Sequence, residues 1–427
     1  MTIIPSAPDG ELTNPDGSEQ IPLAKGTLDK WMTLINTVVG KLRETAGPTI
    51  LTLGAIADGE FLRRSGTAVI GGTFNSAPFK NVVINGDMQI AQRGTSFAGL
   101  TGLGVYTLDC WLPVLITLGT WTASQEADAP TGTPHRRSLK MLATVADAAP
   151  AAGDAALLQT KIEGQFLQAF LKGSSAAKQF ALSFWVKSST TGTYIAELQD
   201  LDNARHVAAS YTINVANTWE RKTITFPADT SGVWDNDSNG SMALNFWMAA
   251  GSNFTSGALQ TTWAAQVNAN RAVGQVNLAA AVNNNLFITG VQLETGPTAT
   301  DFEFLPFDVQ LQRCLRYYQK SFPYATAPVQ NAGNVGAFSY IAGKAGAAHE
   351  DGFIPFMAKM RVAPVVTFYN PGAANAQVRD LGVPGDCSAT TTLGNLSENG
   401  TGVRATGNAA TAVGNLLVVH WTGESGL

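Results

Sequence analysis

The stretch NVVINGDMQIAQRGTSF (residues 81–97) is where this chain changes character. Asn85, Gly86 and Asp87 make a tight-turn signal, because Asn and Gly accept the left-handed backbone and Asp bonds to its own turn. Met88 to Ala91 then read as a short strand, and Arg93 with Gly94 as a second turn. Before it lies a leader of eighty residues in which DGEFLRRSG (58–66) reads as a turn, a small strand and another turn. The reading is that Asn81 opens a β-sandwich module carried behind an attachment segment.

The pattern that follows has a period of two. In QFALSFWVKSS (residues 179–189), Phe180, Leu182, Phe184 and Val186 share one face. WERKTITFPAD (219–229) alternates through Lys222, Ile224 and Phe226, and MALNFWMAAG (242–251) through Met242, Leu244, Phe246 and Met248. TYIAELQDLD (193–202) and LFITGVQLETG (286–296) read as two more strands. Alternation with turn residues between the runs describes an antiparallel sandwich, a jelly roll over residues 81–306. Residues 262–285, rich in Asn and Ala, read as a loop or insertion. Residues 307–322 carry Phe307, Leu311, Cys314 or Leu315, and Tyr318 at helical spacing, with Asp308 favouring the helix start. They predict a linker helix leading to a small β-domain over 323–427. The fold class is mainly β.

Upstream, residues 1–24 hold Pro5, Pro8, Pro15 and Pro22 and two Pro-Asp-Gly turns. They predict an extended segment that orders against a partner. Residues 27–44 place Leu28, Trp31, Ile35, Val38 and Leu42 at steps of 3, 4, 3 and 4, which is an a/d seam. A helix this short is marginal alone. It packs either on its own domain or in a parallel bundle of identical chains. The bundle, with a trimer allowed, is the preferred reading because neither flank offers a core. Residues 1–80 thus form the attachment segment.

Of the 427 residues 45% are hydrophobic and 14% charged, against about 25% charged in ordinary soluble domains. The net charge is −5 and no long Lys/Arg run occurs, which argues against nucleic acid as a partner. His135, Arg136 and Arg137 form a tight basic cluster, read as a solvated loop. Cys110, Cys314 and Cys387 lie far apart and predict free buried thiols, not a disulfide framework or a zinc site. The N-terminus has no basic stretch leading into an apolar core, and no run of about 18 apolar residues follows. The expectation is a chain made in a cytoplasm, with no membrane insertion and no cofactor.

Taken together, NVVINGDMQIAQRGTSF and YTLDCWL (106–112), then FALSFWVKSS, WERKTITFP, VQLETG, FEFLPF and QRCLRYYQKS in that order, resemble the carbohydrate-binding-type jelly-roll modules of bacteriophage tail and head fibres. DGEFLRRSG (58–66) and the closing VVHWTGESGL resemble a connector and a terminal strand of such fibres. Two positions depart from that pattern: Met88 stands where the family usually has Phe, and Ala91 where Trp is common. The resemblance implies a structural virion component, a homotrimer assembled in the host cytoplasm and anchored through residues 1–80. A tail fibre is the preferred form, with a head or collar fibre of purely structural role as the alternative.

Sugar-binding modules stack aromatic faces on pyranose rings and hold hydroxyls with Asn, Asp, Gln and Arg. Trp185 and Trp247 sit mid-strand with parity opposite to the apolar residues, so they face away from the core. They are either a stacking platform for host surface glycan or an interface with a neighbouring subunit. Trp234, with Asp235 and Asn236, lies in SGVWDNDSNGS (231–241), read either as a glycan contact or as a plain polar turn. The resemblance further implies a candidate structural Ca²⁺ at Asp87 and Glu294. The alternative is that Asp87 caps its turn and Glu294 pairs with Arg93 or another base. A polysaccharide depolymerase would need two carboxylates about 5–10 Å apart. Glu126, Glu163, Glu197, Asp200, Asp202 and Glu303 are available, but no motif pairs them. The chain is therefore read as a non-enzyme.

Overall fold

The computed structural model of the protein describes residues 52–53, 60–65, 68–73, 80–102 and 104–427, the first three groups through their backbone pairing. The segment 1–24 and the seam residues Leu28, Trp31, Ile35, Val38 and Leu42 lie outside the described residues. The chain divides into two compact units, Met1–Pro78 and Phe79–Leu427. In the first unit three strands are described: β1 (Thr52–Leu53), β2 (Glu60–Ser65) and β3 (Ala68–Thr73). Strand β3 takes β1 in parallel and β2 in antiparallel. Strand β2 is the one expected in DGEFLRRSG.

Twelve strands build the sandwich of the second unit. They are β4 (Ser96–Leu100), β5 (Leu112–Ile116), β6 (Thr120–Glu126), β7 (Ser138–Val145), β8 (Ala155–Glu163) and β9 (Phe180–Ser188), then β10 (Gly192–Asp200), β11 (Arg205–Ile213), β12 (Glu220–Phe226), β13 (Gly240–Ala250), β14 (Ala264–Ala265) and β15 (Asn285–Thr295). The front sheet has the order β12-β9-β15-β7-β6-β4, and the back sheet β14-β11-β10-β13-β8-β5. The alternation seen in the sequence decides what lies between them. Phe180, Leu182, Phe184 and Val186 of β9 and Met242, Leu244, Phe246 and Met248 of β13 all show 0% exposure in one shared core. Phe184 meets Phe246 edge-on at 4.9 Å across the two sheets. Each such side chain contributes about 1.5–3 kcal/mol by leaving water.

The opening turn sits against β15. Val291 N donates to Gly86 O at 2.8 Å, and a Cβ on Gly86 would meet Val291 O at 2.1 Å, so only glycine fits there. Asn85, at φ +56°, receives Ile90 N on Oδ1 and donates through Nδ2 to Ile90 O and Asp109 O. Met88 to Ala91 do not form the expected strand. Their backbone is satisfied partly by side chains, Gln125 Nε2 donating to Met88 O and Tyr324 OH accepting from Ala91 N, and partly by turn bonds such as Met88 N to Asn85 O. The segment is buried, with Met88 and Ile90 at 0% exposure, but it needs no partner strand.

The helix expected over 307–322 is shorter, Phe307–Leu315. The fully buried Glu163 carboxylate accepts from the Arg316 guanidinium and the Tyr317 hydroxyl, which pulls the chain onto the sandwich after Leu315. Tyr318–Lys320 then extend as β16. The remaining strands are β17 (Phe338–Ile341), β18 (His349–Pro355), β19 (Val365–Tyr369), β20 (Gln377–Asp380), β21 (Gly385–Ala389), β22 (Thr391–Thr392), β23 (Gly400–Thr406) and β24 (Leu416–Glu424). One sheet runs β16-β24-β20-β21, with β17 and β19 also on β24, and another runs β18-β23-β22. They enclose a separate cluster that includes Ile354, Phe368, Val403, Leu417 and Trp421. Arg93 ties β24 to the opening segment through Glu424 at 2.7 Å and lies over the Tyr318 ring at 4.0 Å.

Candidate functional site

Eight of the nine tryptophans fall within the described residues, and six of these are buried: Trp111, Trp121, Trp234, Trp247, Trp263 and Trp421. The other two, Trp185 and Trp219, are half-buried. Both lie on the outer face of the front sheet, on or beside adjoining strands. Register explains why. Val186 of β9 faces the core and pairs with Glu220, so Trp185 and its partner Arg221 face outward. Trp219, one step before Glu220, shares that outward parity and packs edge-on against Phe287 at 6.2 Å.

Polar groups fix this aromatic pair. Lys187 lies over the Phe287 ring at 4.2 Å and the Trp219 ring at 5.3 Å, and it ion-pairs with Asp128. Trp219 Nε1 donates to Asp128 Oδ1 at 2.9 Å. Burial would raise the Asp128 pKa, but the hydrogen bonds from Lys187 and Trp219 outweigh it and hold the carboxylate below its usual range. Arg221 Nη2 donates to Thr300 O at 3.1 Å, while the Arg221 side chain stays exposed. Residues 297–304 cross the neighbouring part of the face, where Gln292 and Glu294 are buried. The open part is therefore the strip around Trp185 and Trp219, with ordered donors and acceptors beside the two indoles.

Gly290 makes room for one end of the strip. It sits at a bulge in β15 with φ +61°, and a Cβ there would lie 2.7 Å from the His135 ring and 3.2 Å from Trp185 Cδ1. His135 also packs against Phe302 at 5.0 Å and Phe304 at 4.9 Å. It is buried, not part of a solvated loop, although Arg136 and Arg137 beside it are exposed. Burial, assisted by Arg136, lowers the His135 pKa from 6.5 to about 4. The unfolded chain therefore takes up a proton that the folded chain refuses. Stability from this residue is complete above pH 6.5 and is lost as pH falls from 6.5 towards about 4. His135→Gln flattens the melting temperature against pH in that window; parallel curves for the two proteins would contradict this.

The other expected site residues are placed differently. Trp234 is not on an exposed loop: its indole turns inward at 3% exposure, edge-on to Phe180 at 5.8 Å, with Lys172 over the ring at 5.2 Å. Asp235 and Asn236 stay exposed without it. Trp247 does face away from the core, as its parity requires, yet it is fully buried by the chain's own excursion between β13 and β15. Phe254 packs on it at 5.3 Å, Arg271 lies over it at 5.1 Å, and its Nε1 donates to Glu197. Neither a sugar nor a second subunit is needed to cover it. Asp87 and Glu294, the candidate calcium ligands, are each engaged by neighbouring side chains and backbone. Asp87 accepts from Gln310 Nε2 at 2.9 Å, and burial raises its pKa. Glu294 accepts from Thr300 and Gln292, while Arg93 goes to Glu424 and Asp109. Among the described residues no group of three or more metal-binding side chains occurs. Of the carboxylates weighed for hydrolysis, Glu163, Glu197 and Asp200 are held by Arg316, Arg271 and Lys172.

Trp219 and Arg221 were legible in principle, because Ile224 and Phe226 facing the core force the odd-numbered positions outward. Asp128 comes from a loop that no periodicity locates.

No family model and no curated protein matches the chain. Among solved structures it is similar to the enzymatically active domain of tailspike protein 4 from bacteriophage CBA120, at 18% identity and a TM-score of 0.27 over 51% of this chain and 22% of that one. It is also similar to TmCBM61 in complex with β-1,4-galactotriose, at 9% identity and 0.26 over 50% and 98%. A family 11 carbohydrate-binding module from Clostridium thermocellum gives 12% identity and 0.24 over 48% and 99%. At these values the likenesses carry no argument about function, and the sandwich stands on its own strand pairing.

Proposed function

We propose that this chain is a structural fibre protein of a bacteriophage virion, a tail fibre, and that its sandwich binds a cell-surface glycan through the outer face of the front sheet. The observation that carries the glycan part is the sorting of the tryptophans: among the described residues six are buried and the other two share one open strip. Indole faces stack on pyranose rings. Asp128 and Arg221 supply an acceptor and donors beside them for sugar hydroxyls. One such contact is weak, and several copies per particle raise avidity through effective concentration. The virion setting, anchoring through residues 1–80 and a homotrimer gathered by Leu28, Trp31, Ile35, Val38 and Leu42 are supported by the sequence resemblance and the seam alone.

The test is an adsorption competition with the purified full-length chain. Dose-dependent slowing of phage attachment to host cells is the expected result. A folded chain that neither binds cells nor slows attachment would favour a fibre or decoration with a purely structural role.

A further inference from the structure

The strip around Trp185 and Trp219 is basic, although the whole chain carries a net charge of −5. Four cations surround it: Arg136, Lys140, Lys187 and Arg221. Register places Lys140 outward beside Phe287, and its ammonium lies over that ring at 5.2 Å. Arg221 pairs across the strands with Trp185, and Arg136 adjoins the His135 ring that flanks Gly290. Carboxylates also lie near them, and Asp128 attracts Lys140 as well as Lys187. Asp128 is occupied by Lys187 and the Trp219 indole, and Glu126 accepts from Ser124. Among the described residues no carboxylate forms an ion pair with Arg136, Lys140 or Arg221; the two arginines reach only backbone carbonyls. Such cations beside an aromatic platform are chemistry for a sugar that carries negative charge. A neutral sugar has no use for the donors that Arg221 and Lys140 still present to solvent, whereas an acidic sugar pairs with them.

We infer that the ligand is an anionic polysaccharide, its rings stacked on Trp185 and Trp219 and its acidic groups paired with Arg221 and Lys140. This rests on the glycan-binding reading and adds the charge class to it. Arg221 suits the role because a guanidinium presents a fork of donors to a carboxylate or phosphate, and one fork edge remains beyond its bond to Thr300. The acidic groups could be uronate carboxylates or the phosphates of a sugar-phosphate polymer, and the experiment separates them.

The full-length chain would be titrated calorimetrically with polygalacturonate, with the same polymer after carboxyl reduction, with a glycerol-phosphate teichoic acid, and with duplex DNA. One of the two anionic glycans is expected to bind at least about tenfold tighter than the carboxyl-reduced polymer. That margin shrinks as salt is raised, and it is lost in a variant carrying Arg221→Gln and Lys140→Gln. Equal binding of charged and neutral polymers would overturn the inference and leave the glycan reading standing. Binding to none of the glycans would remove both. Duplex DNA binding as tightly as the anionic glycans would also overturn the inference, since charge alone would then suffice.

Discussion

Replacing Glu197 with alanine is expected to destabilise the fold by about 3–5 kcal/mol, the range for a buried charge left without its partner. The carboxylate is fully buried on the outer face of the back sheet. It accepts from Arg271 Nε at 2.7 Å and Nη2 at 3.0 Å, Asn245 Nδ2 at 3.0 Å and Trp247 Nε1 at 3.1 Å, and it bonds His206 Nδ1 at 3.0 Å. Burial alone would raise its pKa, but His206, Arg271 and Asn245 bring it down to about 2. The folded pKa lies below the unfolded value of 4.5, so this stability is present above pH 4.5 and is lost as pH falls towards about 2. Alanine leaves Arg271 and the Trp247 indole N–H without their acceptor and loosens the excursion that covers Trp247. Glu197→Gln keeps an acceptor and costs less. Denaturant unfolding at neutral pH checks the order; an alanine variant within about 1 kcal/mol of the parent would show that the hub holds nothing.

Gly290→Ala is expected to cost about 3 kcal/mol and to weaken ligand binding together with stability. A left-handed φ of +61° is unfavourable for alanine by about 1–2 kcal/mol. The new methyl would also stand 2.7 Å from the His135 ring, which is buried and cannot swing away cheaply. Relief requires the bulge of β15 to move, and with it the seat of Trp185. Thermal unfolding paired with a polysaccharide titration reads both effects. An unchanged melting temperature would mean that the ring yields and the bulge is not a constraint.

These two sites mark the boundary of what sequence reading reaches. Alternation over β9, β12 and β13 was legible because a strand with one buried face must alternate, and it correctly turned Trp185 outward and Phe184 inward. Alternation says which way a side chain leaves the sheet, but not what the rest of the chain then lays over it. Trp247 obeys the parity and is still covered, because the excursion after β13 folds back onto it. Trp234 lies in a polar loop whose composition reads as surface, yet edge-on packing against Phe170 and Phe180 outweighs the polarity of its neighbours. The helix after Pro306 keeps its period past Leu315 on paper, and Glu163, some 150 residues earlier, ends it. Met88, Ile90 and Ala91 look like strand residues because they are apolar; turn bonds and side-chain hydrogen bonds from Asn85, Gln125 and Tyr324, invisible to periodicity, satisfy their backbone.

Trp185 and Trp219 together form the ligand face proposed above. The most direct measurement is the affinity of a folded Trp185→Ala, Trp219→Ala double variant for whichever polysaccharide the parent binds, both measured by calorimetry under the same conditions. Aromatic anchors at the centre of a binding face are worth about 2 kcal/mol or more each. Losing one such anchor weakens binding about 30-fold, so the double variant is expected to lose at least that much. A double variant that folds as the parent does and binds the same polymer with the same affinity would contradict this, and would place the ligand elsewhere on the molecule.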